Sequence, residues 1–319
     1  MPPNTKQKLI VLIGPTAVGK TKTSIHLAQT FNAEIISGDS MQIYKGMDIG
    51  TAKITQAEME GIPHHLIDIK NPQESFSSAE FQQIVREKIS DIHSRGKIPM
   101  IVGGTGLYIQ SVIFDYQFTD APGDAEYRSF LEEKVEETGI APLFEQLQSI
   151  DPEAAKNIHP NNTRRVIRAL EIFHVTGKTM TGYKERQSDE LLYDLALIGL
   201  SMDREKLYDR INMRVDLMIE NGLIEEVDSL YRSGVHDVQS IQAIGYKEIY
   251  EYLDGKISLD RAIEKLKQNS RRYAKRQLTW FRNKMEVRWF DMSDKTYHQK
   301  IIEEISEFIA GKLQLKSNK

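Results

Sequence analysis

At 319 residues the chain has room for about two domains of 100–200 residues and for a full apolar core that needs no disulfide or metal staple. Hydrophobic residues make up 40% and charged residues 28%, which sets aside collagen, a coiled-coil rod and a wholly disordered chain; with no cysteine, disulfide scaffolds, thiolate zinc sites, iron–sulfur clusters and cysteine nucleophiles go too. The net charge of −4 argues against wholesale wrapping by nucleic acid, and no apolar run approaches the ~18 residues of a membrane span. The polar start, Met1 to Lys8, carries no signal-peptide pattern, so the expectation is a cytoplasmic protein with no membrane partner.

The segment Lys8–Ile13, KLIVLI, predicts a short buried strand, followed by a Gly-rich turn and a helix over about 20–31. Glu34–Ser37 predicts a second strand running into Gly38–Asp39, and His65–Ile69 a third. Ser77–Arg95 has helical periodicity (Phe81, Ile84, Val85, Ile89, Ile92) and is stopped by Gly96; Ile98–Val102 is a further strand, running into Gly103–Gly104. Strands alternating with helices at this spacing imply βαβ units and a parallel sheet covered by helices on both faces. Ligands bind beyond the carboxyl ends of such strands, where the turns at 14–21, 38–42 and 103–106 fall.

The texture changes at Thr119. An acidic helix over 124–138 ends at Gly139, and a second over 161–176 has Asn162 or Thr163 as its cap and Gly177 beyond its end. Strand signals return at Leu195–Leu200, so residues 119–190 read as a helical insertion into an α/β core made of 1–118 and 191–319. Helices over 203–220 and 258–284 and a strand at Val287–Asp291 complete the core.

Charge is segregated along this order. Residues 119–155 hold ten acidic and two basic side chains, 156–186 seven basic and two acidic, and 261–288 ten basic and two acidic. Two basic clusters in a near-neutral chain suit an anionic partner, although solvated helix faces would look the same.

Gly14-Pro15-Thr16-Ala17-Val18-Gly19-Lys20-Thr21 matches G-x-x-x-x-G-K-[ST] between a strand and a helix. Its amides and the following helix N-terminus suit phosphate oxygens, Lys20 would reach them, and the Thr21 hydroxyl would hold Mg²⁺. The loop names no reaction, and a nucleotide such as ATP is its default occupant. Asp39 could act as a base, ligate metal through water, or cap a turn. Gly103-Gly104-Thr105-Gly106 is a close-approach turn or a plain connection. Arg210 and Arg214, four apart on one helix, suit a diphosphate clamp or surface ion pairs. His64–His65 reads as structural or substrate-contacting rather than metal-binding. On the last long helix, Arg271 with Lys275 and Arg272 with Arg276 are i, i+4 pairs, interleaved with Tyr273 and Trp280; that suits a nucleic-acid backbone or an amphipathic core helix.

Taken together, GPTAVGKT at 14–21, ISGDSMQIYKGMDIGTAK at 36–53, PHHLIDI at 63–69, VGGTGLYI at 102–109, RRVIRALEIF at 164–173, LYDRINMRVDLMI at 207–219, IGYKE at 244–248 and YAKRQLTWFR at 273–282 closely resemble the tRNA dimethylallyltransferase (tRNA isopentenyltransferase) family, in its short bacterial form. The resemblance implies a P-loop NTPase-like parallel sheet with a helical insertion domain. It implies transfer of a dimethylallyl group from dimethylallyl diphosphate to N6 of the adenosine just 3′ of the anticodon, tRNA position 37. It casts Asp39 as the base, Thr105 as an orienting residue, Lys20, the loop and Mg²⁺ on Thr21 as holders of the diphosphate, and Arg210 and Arg214 as its arginines. tRNA contacts would come from Asp39, Ser40, Met41, Gln42 and Thr105 at the base, from Asn161, Asn162, Thr163, Arg164 and Arg165 in the insertion, which would grip the anticodon stem-loop, and from Arg271, Arg272, Lys275 and Arg276. A monomer is expected. A P-loop small-molecule kinase is the competing reading, since a strand followed by an Arg-bearing helix also occurs there; a non-catalytic RNA-binding protein is a third.

Overall fold

A computed structural model describes residues 6–118, 123–184, 188 and 190–315. The expected start of the insertion, Thr119, and Arg186 of the basic cluster lie outside the described residues. The chain divides into two compact units, one built from its first 113 residues and those from 191 onward, the other from 114–190.

In the first unit, β1 (Lys8–Ile13), α1 (Lys20–Phe31), β2 (Ala33–Gly38), β3 (His64–His65), α2 (Ser78–Ser94), β4 (Ile98–Gly103) and α3 (Gly106–Ile113) precede β5 (Asp194–Ser201). Then come α9 (Arg204–Glu220), α10 (Leu223–Arg232), α11 (Tyr246–Leu253), α12 (Leu259–Lys284), β6 (Arg288–Asp291) and α13 (His298–Leu313), the numbers α4 to α8 falling in the second unit. The strands form one sheet in the order β3-β2-β4-β1-β5-β6, with every pairing parallel.

Alternation sets which face each strand residue covers. Ile10, Leu12, Ile35, Met100, Ala196, Ile198 and Leu200 pack with Ile25, Leu27 and Phe31 of α1, Ile211 of α9 and Ile305 and Ile309 of α13. Ile101, the neighbour of Met100, faces the other way, where Ile109 of α3 meets it beside Gly38. Both faces are therefore covered, and the central strands read as unbroken apolar runs. Each fully buried Ile or Leu contributes about 1.5–3 kcal/mol over an exposed one. The carboxyl ends of β2 and β4 are pinched together: a Cβ on Gly103 would stand 2.3 Å from the Gly38 carbonyl oxygen.

The third strand is shorter than His65–Ile69. Leu66 and Asp68 take left-handed backbone, φ 62° and 55°, which ends the extended run after His65. His65 hydrogen-bonds Glu34 through Nε2 at 2.7 Å, so this histidine is structural.

The second unit holds α4 (Ala125–Thr138), α5 (Ala141–Ile150), α6 (Pro152–Asn157), α7 (Thr163–Thr176) and α8 (Met180–Lys184). Leu131, Leu143, Leu147, Val166, Ile167 and Leu170 form its core. Two buried carboxylates tie it together. Glu171 accepts from Arg128 and Arg168, each at 2.7 Å, and from the Asp124 N–H. Asp151 caps α6 through the Ala154 N–H and accepts from both the N–H and hydroxyl of Thr181.

Candidate active site

Because all the strands are parallel, the loops after β1, β2, β4 and β5 open on one edge of the sheet. There α9 and α12 complete a cavity of about 470 Å³. Its lining includes Thr16, Ala17, Gly19, Lys20 and Thr21 of the first loop, Asp39 to Gln42 of the second, Gly103 and Gly104 of the third, Arg210 and Arg214 of α9, and Ser270, Tyr273, Arg276 and Gln277 of α12. Residues as far apart as Thr16 and Gln277 thus meet at one site, as in ligand crevices beyond the carboxyl ends of open α/β sheets.

The Lys20 ammonium folds into its own loop and donates to the carbonyls of Gly14 at 2.9 Å and Pro15 at 2.8 Å. Burial, reinforced by the Arg214 guanidinium and opposed by Asp39, pulls its pKa down to about 8. Burial likewise lowers Arg214, with Arg210 acting in the same direction and Asp39 against it. Among the described residues none of Lys20, Arg210 and Arg214 makes an ion pair. Three cations facing one cavity without a carboxylate partner are a site for an anion.

Asp39 Oδ1 accepts from the N–H groups of Met41 at 2.8 Å and Gln42 at 3.3 Å, so the turn-capping reading is correct for that oxygen. Among the described residues Oδ2 has no hydrogen bond, and Asp39 lines the cavity. One carboxylate can serve both ends. Gln42 is anchored: its Nε2 donates to the carbonyls of Thr51 at 3.2 Å and Ala52 at 3.4 Å, and its Oε1 accepts from Ser37.

Within the loop several residues already have contacts of their own. The Thr16 N–H donates to Gln277 Oε1 at 3.1 Å. Pro15 and Gly14 act through their carbonyls on Lys20. The Val18 side chain is 1% exposed and belongs to the core. Ala17 holds φ 64°, an unusual conformation for a residue with a Cβ, which bends the loop. Among the described residues Thr105 is not part of the cavity lining, and its Oγ1 is buried without a hydrogen bond of normal geometry, beside the Tyr273 hydroxyl. Burial, then Asp39, push that tyrosine up to about 12, so it remains a neutral donor.

On α12, Arg276 lines the cavity, Arg272 and Lys275 are exposed, and Arg271 is instead a strut to Asn212 Oδ1 of α9 at 2.5 Å. In the second unit Asn162 caps α7 by accepting from the Arg165 N–H, Thr163 opens the helix, and Asn161, Arg164 and Arg165 are exposed. Gln277 and Glu226 escaped sequence reasoning, and Tyr273 is read there only as an aromatic between basic pairs, not as part of the cavity. Leu266, Ser270, Tyr273 and Gln277 repeat at helical spacing on one face, so polar residues on an otherwise apolar stripe were the available signal. Glu226 of α10 accepts from three successive N–H groups, Asp48 and Ile49 at 2.8 Å and Gly50 at 3.1 Å, and from the Tyr246 hydroxyl at 2.5 Å. It thereby clamps the loop whose Thr51 and Ala52 carbonyls hold Gln42.

Among the described residues no group of three or more His, Asp or Glu side chains could hold a metal, and no helix is long and apolar enough to cross a membrane.

A family profile described as IPP transferase matches residues 42–284. Proteins named tRNA dimethylallyltransferase from Bacillus cereus (strain Q1) and Bacillus anthracis are each 64% identical over 315 residues, spanning 98% of this chain and 98% of theirs. The solved full-length tRNA isopentenylpyrophosphate transferase from Bacillus halodurans is 58% identical, with a TM-score of 0.74 over 97% of each chain. A eukaryotic dimethylallyltransferase acting on tRNA, 34% identical, aligns at TM-score 0.80 over 96% of this chain and 80% of its own. With these neighbours, the parallel sheet and the loop after β1, the fold is P-loop NTPase-like.

Proposed function

The chain belongs to the IPP transferase family and is a tRNA-modifying prenyltransferase; we propose that it moves a dimethylallyl group from dimethylallyl diphosphate to N6 of the adenosine at tRNA position 37, just 3′ of the anticodon. The observation that carries this reading is one cavity lined by an Asp39 oxygen and three cations that, among the described residues, have no hydrogen bond and no ion-pair partner respectively. An anionic leaving group and a proton acceptor are what such a transfer needs in one place.

In the proposed step the N6 lone pair attacks C1 of the dimethylallyl group as the C1–O bond breaks and diphosphate departs. Asp39 Oδ2 takes the N6 proton, which matters because the lone pair is conjugated into the ring and N6 is a poor nucleophile. Lys20, Arg210, Arg214 and the loop amides beyond Thr16 stabilise charge growing on the diphosphate, in a cavity where burial strengthens each interaction. Thr105 and Tyr273 orient groups around Asp39. The base must leave its stack to arrive. The adjoining stem-loop would be held by Arg164 and Arg165 with their cap Asn162, and by Arg272, Lys275 and Arg276. The protein acts as a cytoplasmic monomer.

Mg²⁺ fits as a partner of the diphosphate rather than of a protein cage. The Thr21 hydroxyl makes no hydrogen bond among the described residues, Thr21 lines the same cavity as Asp39, and Mg²⁺ usually takes one or two protein oxygens plus phosphates and water. When bound, it neutralises diphosphate charge.

Incubation with unmodified tRNA and dimethylallyl diphosphate should yield prenylated tRNA and diphosphate, with no ATP requirement. ATP hydrolysis or phosphorylation of a small molecule without prenyl transfer would replace this reading with a kinase.

A further inference from the structure

Gln277 is a neutral residue in the most basic helix of the chain, and it is 5% exposed. A buried primary amide has to place both its acceptor and its donors. Gln277 does so across two loops remote in sequence. Its Oε1 accepts from the Thr16 N–H of the P-loop at 3.1 Å, and its Nε2 donates to the Gly104 carbonyl at 3.0 Å. The partners impose the orientation, since the reversed amide would set N–H against N–H and oxygen against oxygen. The contact is also tight. A Cβ on Gly104 would stand 2.0 Å from Gln277 Nε2 and 3.3 Å from the Gly14 carbonyl oxygen, so the two loops come close around this side chain.

We propose that Gln277 is a positioning residue: by using both ends of its amide it fixes the spacing between the P-loop and the Gly104–Thr105 turn. The first loop carries Lys20 and Thr21 on the donor side, and the second opens α3 beside Tyr273 on the acceptor side. The proposal rests on the reading that these loops serve the two substrates of one transfer. Reacting atoms must meet within a few tenths of an ångström, and a misplacement of about 1 Å costs on the order of 10²-fold in rate. A strut anchored to α12 holds that spacing before either substrate arrives. Among the twenty side chains few can replace it. Methionine keeps the length and loses both bonds. Glutamate keeps the bond to Thr16 and sets an oxygen against the Gly104 carbonyl, until it is protonated and donates there again.

The test is single-turnover prenyl transfer with saturating tRNA and dimethylallyl diphosphate, with pyrophosphate affinity by calorimetry and thermal unfolding measured on the same samples. Gln277→Met should slow transfer roughly tenfold or more, the scale of its two lost hydrogen bonds, while pyrophosphate affinity falls less and the protein remains folded. Gln277→Glu should be slow at pH 8 and regain rate relative to wild type as the pH falls to about 6, because only the protonated carboxyl has both an acceptor and a donor. A merely structural residue would give no such recovery. A folded Gln277→Met within twofold of wild type, or a Gln277→Glu to wild-type ratio flat from pH 8 to 6, overturns the proposal. If Gln277→Met does not fold, the pH profile of Gln277→Glu decides alone. A wild-type enzyme that transfers nothing from dimethylallyl diphosphate overturns the underlying reading instead.

Discussion

Glu34 and Asp39 stand at opposite ends of β2, and their surroundings differ in kind. Glu34, 1% exposed at the amino-terminal edge of the sheet, is enclosed by both terminal guanidinium nitrogens of Arg95, the Lys97 ammonium at 3.0 Å and the His65 ring at 2.7 Å. The Arg95 hydrogen bonds, against burial and with help from His65 and Lys97, hold its carboxyl far below the usual carboxylate range. Asp39, at the carboxyl edge, caps a turn with one oxygen, and among the described residues its other oxygen has no hydrogen bond and Lys20, Arg210 and Arg214 make no ion pair. One end of the strand has its charge neutralised by the protein itself. The other leaves charges of both signs apart in one cavity, at a cost in stability that a bound anion and a base would offset.

The comparison breaks first at Asp39. Asp39→Asn keeps an Oδ1 that accepts from Met41 and Gln42 and removes only the proton acceptor. Transfer under single-turnover conditions should fall 10²–10⁴-fold, the range of a positioned general base, with tRNA and pyrophosphate still bound. A rate within about threefold of wild type would leave Asp39 a turn cap and no more.

Lys20→Ala comes next, with an expected loss of roughly 10²-fold or more in rate, the scale of one removed charge stabiliser; Thr21→Ala should behave alike. The same lysine sharpens the point through pH. With its pKa lowered to about 8, the free enzyme holds a neutral Lys20 above that value and must take up a proton to bind an anion well. Pyrophosphate affinity should therefore weaken by up to about tenfold per pH unit above 8, with proton uptake visible as buffer-dependent heats. In Lys20→Ala that slope should vanish.

At the other end of β2, Glu34→Ala should leave the chemical step alone and lower stability by about 3 kcal/mol, the low end for breaking a buried pair, because Arg95 and Lys97 can turn to water. The sign with pH follows from its lowered pKa. The contribution is complete above the ordinary glutamate value of 4.5 and is lost as pH falls below it, so urea-unfolding curves of variant and wild type should converge in acid. A variant as stable as wild type at pH 7 would remove the contrast between the two ends.

The smallest effect is expected in the second unit. Replacing Arg164 and Arg165 by Ala should reduce the dependence of log tRNA affinity on log salt by roughly 1.4–1.8, the share of two phosphate contacts, with pyrophosphate binding unchanged. Parallel loss of both affinities would indicate damage to the fold.

What the sequence made legible was local. The loop at 14–21, the strand before it and the Asp39 turn after β2 are each specified by a few consecutive residues, and Arg210 and Arg214 by helical spacing. The clamp of Glu226 on Asp48, Ile49 and Gly50, and the strut from Gln277 to Thr16, join residues more than 170 positions apart, and no local pattern encodes that distance. Arg271 looked like its basic neighbours and is distinguished only by Asn212 lying across from it. His65–Ile69 had a strand's composition, and the left-handed turns at Leu66 and Asp68 prevailed over it. The helix His298–Leu313 was passed over although Ile302, Ile305 and Ile309 carry its core stripe.

The sheet register also bears on how the chain is made. β1 pairs with β4 on one side, but its other edge pairs residue for residue with Asp194–Gly199. During synthesis from the N-terminus that edge, an unbroken apolar strand, waits for about 180 further residues. At roughly 5–20 residues per second the wait is on the order of 10–40 s. Unpaired apolar edges template association with other chains, so the nascent enzyme is most vulnerable while its central strand stands half-paired on the ribosome, long before its catalytic edge exists.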